Sequence, residues 1–431
     1  MDRPAPESRA GERAHAVVVG GGFAGAAAAS ALAEAGVTVT LIEERATLGG
    51  RTSSLKDGVT KQDVDNGQHL FLGSYRDTRA FLKRLGVEDR ILFGKSFSIP
   101  FINRMGHRSI LEPRVFSGRL GLLAGIFAFR EMKWRDRISL LWGLGRARFL
   151  APERVRTLTV SRWLTTLRQT PGARRAFWDP LCLATLNEQP DRAAAEALLC
   201  VLQQGIFSDG KSRSMGHATL PLNRLWSMEL GPYLQRADGR LAARQKATGF
   251  RVEGNRVTSV EVAGESFVDA EVFVLATELA AAELIAPAPL REAFAPIQKH
   301  DHAPIVAVNL WFKEPPFKEP LVGLLDMDLH WIFNRETLWG PTAAGQISAV
   351  ISAARPHLGR TSEELIALAL ADLRRAFPGF QEEPLHASVL WEHQATPSPT
   401  PDFIKHRLPV RTPLANFSGR RLGGRGLAPH H

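Results

Sequence analysis

Three glycines carry the first chemistry legible in this chain. Gly20, Gly22 and Gly25 stand at G-x-G-x-x-G spacing, with Phe23 and Ala24 inside the turn they make. The first glycine permits a tight strand-to-helix turn, the second lets the backbone approach a pyrophosphate, and the third lets the helix pack close to a sheet. The free N–H groups and the positive dipole end of that helix then face the phosphates. Glu43, with Glu44 beside it, follows about twenty residues on, where a carboxylate takes both ribose hydroxyls. The same carboxylate would repel a 2′-phosphate, which argues against NADP in this crevice.

Those residues need particular elements to hold them. Ala16–Val19 is a short apolar run suited to a buried parallel strand, and Val37–Ile42 reads as a second. Between them lies an Ala-rich helix, Ala24–Ala35, with Gly36 as its natural stop. A lone G-x-G-x-x-G would suit a plain Gly-rich turn equally well. Strand, turn, helix, strand and acid in this order specify a dinucleotide site.

Leu48-Gly49-Gly50-Arg51-Thr52 adds two glycines and an arginine just after the second strand. Here the chain resembles the FAD-dependent oxidoreductases of the amine oxidase and phytoene desaturase superfamily. The resemblance implies that the cofactor is FAD and that Gly49, Gly50, Arg51 and Thr52 contact its phosphates or flavin. Further on, Asp65-Asn66-Gly67-Gln68-His69-Leu70-Phe71-Leu72-Gly73 resembles the hydroxysqualene dehydroxylases (squalene-associated FAD-dependent desaturases) of bacterial squalene and hopanoid synthesis. That likeness implies that Asn66, Gly67, Gln68 and His69 run alongside the flavin. Phe177–Asn187 resembles the same branch. Asp269–Ala276 resembles the strand that closes the superfamily's FAD sheet, and by the same match the backbone near Ala247 meets the adenine.

The implied fold is α/β. A Rossmann-like FAD-binding domain of glutathione-reductase type is interleaved with an α+β substrate domain, which carries a helical subdomain able to dock on a membrane. Residues 1–14 read as a disordered tail. Residues 15–85 and 221–285 form the two parts of the FAD-binding domain. Residues 86–220 form the helical, membrane-facing part, 286–395 the substrate-domain sheet and helix, and 396–431 an incomplete C-terminal FAD segment. Leu241–Val252 reads as one strand, and so does Ile91–Pro100.

Composition narrows the partners. The 431 residues carry a formal charge of +10 and show no nucleic-acid-binding pattern, so an anionic membrane surface is the expected basic-face partner, with no nucleic acid. Leu120–Phe129 is an apolar decade bracketed by Arg119 and by Arg130, Lys133, Arg135 and Arg137. Ten helical residues span about 15 Å, half a bilayer core, so this stretch cannot cross. With the apolar Ile138–Leu144 and Trp142 behind it, the whole segment Val115–Leu150 reads either as an interfacial helix pair or as a buried helical hairpin. Only Cys182 and Cys200 are present, and neither has a C-x-x-C partner. Buried reduced thiols, no metal, and a cytoplasmic protein peripheral on the inner face of the membrane are expected.

The chain's end departs from the superfamily. Thr412–Phe417 arrives where its last strand starts, but Ser418–His431 is basic and Gly-rich and holds neither Asp nor Trp. This predicts a missing flavin wall and weak FAD binding, as after a frame change or premature end of the gene.

The reaction implied by the resemblance is reductive dehydroxylation of hydroxysqualene to squalene. An allylic alcohol ionises, an acid near the hydroxyl assists, and a hydride quenches the cation in a water-poor pocket. His69, Tyr75 and the more remote Glu188 are the candidate titratable groups. Asn187 reads as a helix terminator, or as a polar contact to the substrate hydroxyl. The electron donor, NADPH or a reductase, leaves no motif to read. The rival readings are a carotenoid desaturase or amine oxidase of the same superfamily, or a flavin-free, inactive protein at a membrane surface.

Overall fold

The computed structural model describes residues 13–94, 98–112, 119–207, 214–264, 266–294, 300–407 and 411–419. The expected N-terminal tail lies outside these residues save for its last two, and the expected aberrant end lies outside them beyond Gly419.

A five-stranded parallel sheet organises the first unit, in the order Arg240–Ala243, Thr38–Glu43, His15–Val19, Val272–Leu275 and Phe417–Gly419. His15–Val19 is buried on both faces, as a central parallel strand must be, and its Val-rich sequence suits that. The helix Phe23–Glu34 follows it, and Gly36 leaves it with φ +84°. Leu241–Val252 is two strands, contrary to the single one expected. Arg244 takes a left-handed φ of +59°, so Arg240–Ala243 ends in the parallel sheet and Ala247–Glu253 begins a separate three-stranded antiparallel sheet. At the far edge, Phe417, Ser418 and Gly419 pair in register with Phe273, Val274 and Leu275. The last parallel strand is therefore begun by Phe417 together with Ser418 and Gly419, the first two residues of the stretch expected to depart from it.

The second unit is a seven-stranded mixed sheet. His302–Trp311 lies between His386–Pro397 and Gln346–Ile351, and Trp331–Asn334, Leu321–Leu325, Ile99–Asn103 and Arg108–Leu111 complete it. The segment expected to be one strand over Ile91–Pro100 is split. Ile91–Phe93 pairs with Met215–Ala218 in a small sheet, and Ile99–Asn103 joins the large one. The helical part is correspondingly narrower than residues 86–220, since strands occupy both its ends.

The two units are clamped by a buried ion pair. Asp65, at the end of strand Asp63–Asp65, meets Arg335, the first residue of helix Arg335–Trp339, at 3.0 Å, with both side chains shielded from solvent. Asp65 also accepts from Ser54 Oγ and from the Leu222 N–H. The guanidinium lies over the Trp339 ring at 4.0 Å and donates to Gln68 Oε1. Burial pushes the Arg335 pKa down, and Asp65 pulls against that shift. Removing one member of such a pair leaves an uncompensated charge in the interior. Arg335→Met is expected to destabilise the fold by about 3–5 kcal/mol in equilibrium denaturation; a loss below about 1 kcal/mol would show that the pair is not a clamp.

Candidate cofactor and substrate site

The glycine turn sits at the C-terminal edge of the parallel sheet, where ligands bind in such folds. Gly20 has φ +106°, and a Cβ there would lie 2.8 Å from the Ala276 carbonyl oxygen. A Cβ on Gly25 would lie 1.9 Å from the carbonyl oxygen of Gly20, so only glycine lets the helix close on the strand. Gly22 is different: a Cβ there meets nothing within 4 Å, because the position faces open space. The second glycine pair docks onto the first. Gly49 N–H donates to the Gly21 carbonyl at 3.0 Å, and Gly49 and Gly50 both have positive φ. Glu43 accepts from the Gly21 N–H at 2.6 Å through one oxygen and from the Arg45 N–H at 2.9 Å through the other. Its carboxylate is thus fixed at the crevice with lone pairs to spare.

A cavity of about 1260 Å³ opens from this edge. Gly20, Gly22, Phe23, Glu43, Glu44, Gly49, Gly50, Arg51, Thr52, His69, Tyr75 and Ala247 all line it. Phe23 offers mainly backbone, since its ring packs against Phe81 and Trp226. Ala24 and Gly25 stand behind the turn, off the cavity. Arg51 donates to the Ala395 carbonyl at 3.0 Å. Burial lowers its pKa, and the charges of Glu278 and Glu392 oppose the shift.

Asn66, Gly67, Gln68 and Glu188 do not line the cavity, contrary to the roles expected of them. Asn66 Nδ2 donates to the Arg51 carbonyl at 2.8 Å, and Gln68 turns toward Arg335. They brace the site from behind. Glu188 is fully buried, pairs with Arg355 at 3.0 Å and accepts from Ser398 Oγ. Asn187 ends its helix with φ +50°, spends both amide donors on the Ala303 carbonyl and Thr396 Oγ1, accepts from the Ala353 N–H, and does not line the cavity.

His69 and Tyr75 remain. His69 lines the cavity and is open to it. Burial lowers its pKa, with the Gly67 carbonyl and Asp65 opposing the shift and Arg51 and Arg335 adding to it. Its Nδ1 lies 2.9 Å from the Gly67 carbonyl oxygen, which can only accept. Nδ1 therefore carries the proton, and neutral Nε2 is an acceptor. Tyr75, at the start of helix Arg76–Arg84, has its pKa raised by burial and keeps its phenolic proton.

The rest of the lining was not read from the sequence. Gln245 and Lys246 come from the break in Leu241–Val252. Thr277 and Glu278 follow the strand Val272–Leu275, and their position at its C-terminal end was the available signal. Trp391–Pro397, from the other unit, left no local signal. The opposite wall is formed by the helices Asp179–Leu186 and Ala195–Val201 and by a π-turn over Leu202–Ile206.

The residues present fit a flavin dinucleotide. The turn excludes side chains where a pyrophosphate must approach, Glu43 stands at the ribose position, and Thr277 Oγ1 is buried at the cavity without a partner. The sequence profile described as flavin containing amine oxidoreductase matches residues 23–428. The chain belongs to this family. It is an FAD-dependent oxidoreductase. The match runs past Phe417, where the sequence resemblance was expected to stop. The 15-cis-phytoene desaturase of Synechococcus elongatus is 24% identical over 438 residues, covering 93% of this chain and 89% of the relative. The hydroxysqualene dehydroxylase of Zymomonas mobilis is 24% identical over 411 residues, covering 93% and 91%. Among solved structures, an oxidoreductase from Methanosarcina mazei superposes with a TM-score of 0.72 at 16% identity, covering 96% of this chain and 95% of that one. Cyclohexylamine oxidase from Brevibacterium oxydans gives 0.65 at 16%, covering 95% and 93%.

The two kinds of glycine predict different failures. Gly22→Val is expected to fold with near-native thermal stability but to purify with little FAD, because its side chain would occupy the pyrophosphate approach. Gly25→Val is expected to lose folded protein altogether. Flavin-to-protein absorbance ratios and thermal melts check both, and a fully flavinated Gly22→Val would refute the assignment.

Proposed function

We propose that the enzyme acts on a long apolar isoprenoid and that its reaction is the reductive dehydroxylation of hydroxysqualene to squalene. The observation that carries this reading is the continuity of the cavity. It runs from the glycine turn past His69 and Tyr75 to a helical wall that includes Leu186 and Val201. Such a volume exceeds the roughly 300–1,000 Å³ of ordinary small-molecule pockets and has room for both a dinucleotide and a hydrocarbon chain. Bound FAD supplies the hydride chemistry. Tyr75 O–H is the donor available to a departing hydroxyl, since burial keeps it protonated. His69 Nε2 is the acceptor that orients the same hydroxyl. Leu72, Leu186, Val201 and Ile285 keep water away from a developing cation. An aromatic cage for an amine would be expected to be Tyr-rich, and only one of the two tyrosines, Tyr75, reaches the cavity.

A carotenoid substrate handled oxidatively is the second reading, supported by the 24% identity to the Synechococcus elongatus desaturase. The chemistry separates the two. With a reductant under anaerobic conditions, hydroxysqualene is expected to reoxidise the flavin and yield squalene, whereas turnover of phytoene alone would overturn the dehydroxylase reading. Tyr75→Phe is expected to retain FAD and lose about 10²-fold or more in kcat.

An apolar substrate needs a source, and one surface suits it. Helix Trp134–Phe149 buries Leu140, Gly143, Leu144 and Ala147 against the core. Its outer face exposes Trp134, Ile138 and Trp142, spaced four residues apart, and then Phe149, which is 85% exposed. Arg135, Arg146 and Arg148 lie over the rings of Trp134, Trp142 and Phe149. The inner face packs as a buried helix does, and the outer face is the one that supports the interfacial reading. Aromatic rings collared by arginine suit an anionic membrane surface, and no helix among the described residues is long and apolar enough to cross one. Binding to phosphatidylglycerol vesicles is expected to weaken about tenfold in Trp142→Ala, as roughly 1.5 kcal/mol of apolar burial is lost. Equal binding to neutral vesicles, or no effect of the substitution, would exclude this face.

A further inference from the structure

The strand His386–Pro397 runs into a short helix, Pro401–His406, capped by Thr400 Oγ1, which accepts from the Phe403 N–H at 3.2 Å. Asp402 and His406 are one turn apart and share a face of this helix. The residues between them do something else: Phe403 and Ile404 line the cofactor cavity. Against the shared face stands His300, which precedes strand His302–Trp311 and packs its ring edge-on against Phe403 at 5.3 Å.

These three side chains converge. His300 Nε2 lies 3.7 Å from one Asp402 oxygen, and His406 Nδ1 lies 3.4 Å from the other. One donor atom from each residue falls within 4.8 Å of the other two. The His300 side chain is only 9% exposed, and His300 Nε2 and His406 Nδ1 are both shielded from solvent without a hydrogen-bond partner. Buried polar nitrogens left without partners are uncommon in folded proteins and call for an explanation. Two imidazole nitrogens and a carboxylate are the donor set that divalent zinc takes, at about 2.0–2.2 Å, which puts neighbouring ligands about 3.3–3.6 Å apart in a tetrahedron. The separations of 3.4 and 3.7 Å, one to each Asp402 oxygen, are close to that spacing, so small side-chain rotations bring the three donors onto one ion.

We propose that His300, Asp402 and His406 form a binding site for a divalent transition-metal ion of the zinc type, with the remaining coordination position open to water. The exposed carboxylate of Asp402 gives the ion its entry. The ion would staple the helix Pro401–His406 to a segment about a hundred residues earlier in the chain. That staple holds Phe403 and Ile404 in the cavity wall, so metal occupancy and the fit of the cavity are coupled. The site is independent of which substrate the enzyme takes.

The test uses the full-length, FAD-loaded protein, stripped with chelator and titrated with zinc chloride. One tight equivalent is expected, together with a rise in thermal midpoint that grows with free zinc, as ligand binding to the native state requires. Cobalt chloride should give the visible bands of a four-coordinate ion at wavelengths beyond the flavin absorption. Asp402→Asn and His406→Gln change side chains that are not deeply buried and should leave the metal-free midpoint unchanged. Each is expected to weaken zinc binding by about 100-fold or more, since even outer-shell changes cost about 10–100-fold. His300→Ala should do the same. Absence of a stoichiometric equivalent, or uptake and thermal shift equal to wild type in Asp402→Asn and His406→Gln, would overturn the site.

Discussion

The closest approach of backbone to backbone in the cofactor half governs the rest of the molecule. The helix Phe23–Glu34 can lie on the strand His15–Val19 only because Gly25 has no side chain to strike the Gly20 carbonyl. That approach points the start of the helix at the crevice and brings Gly20 against Ala276 at the end of the neighbouring strand. Gly49 then docks on Gly21, Glu43 is held by two backbone N–H groups, and the cavity is defined at one end. Every contact in this set is short and leaves no room for a methyl group. Gly22 alone is open, and its openness is what a phosphate needs.

The cavity is framed by polar groups that act as joints between distant segments. Asp65 with Arg335, Glu188 with Arg355, and Asn187 with Ala303 and Ala353 each tie segments more than a hundred residues apart. Residues that resembled cofactor or substrate contacts thus prove to hold the frame on which those contacts rest. Buried pairs of this kind add little net stability over apolar packing, but breaking one is costly, so they fix which surfaces meet. Arg51 belongs to both groups, facing the cavity while bonding the Ala395 carbonyl of the long strand.

Electrostatics sort the titratable groups inside the cavity. Burial acts in opposite directions on His69 and Tyr75, lowering the pKa of the first and raising that of the second, so each is held toward its uncharged form. A neutral imidazole can accept a hydrogen bond and a protonated phenol can donate one. On the outside the balance reverses, and helix Trp134–Phe149 shows aromatic rings and arginines to solvent. One helix thereby supplies core packing on one side and an aromatic, basic surface on the other.

What the sequence determined by itself was local. From Ala16 to Thr52, turn chemistry, strand patterning and acid spacing all act within forty or so residues, so the FAD half and the roles of Gly20, Gly22, Gly25 and Glu43 could be read directly. The family and cofactor followed from the same stretch. Tertiary structure alone decided the rest. Asp65 meets Arg335 across 270 positions, and nothing beside either residue announces the other. The left-handed turn at Arg244 divides a continuous apolar pattern between two sheets, a choice that pairing partners make and propensity does not. His300 faces Asp402 and His406 only because a strand returns beside its neighbour. Sequence spacing records the groups that one turn or one helix brings together. Those that a sheet brings together are set by register, and register is a property of the whole fold.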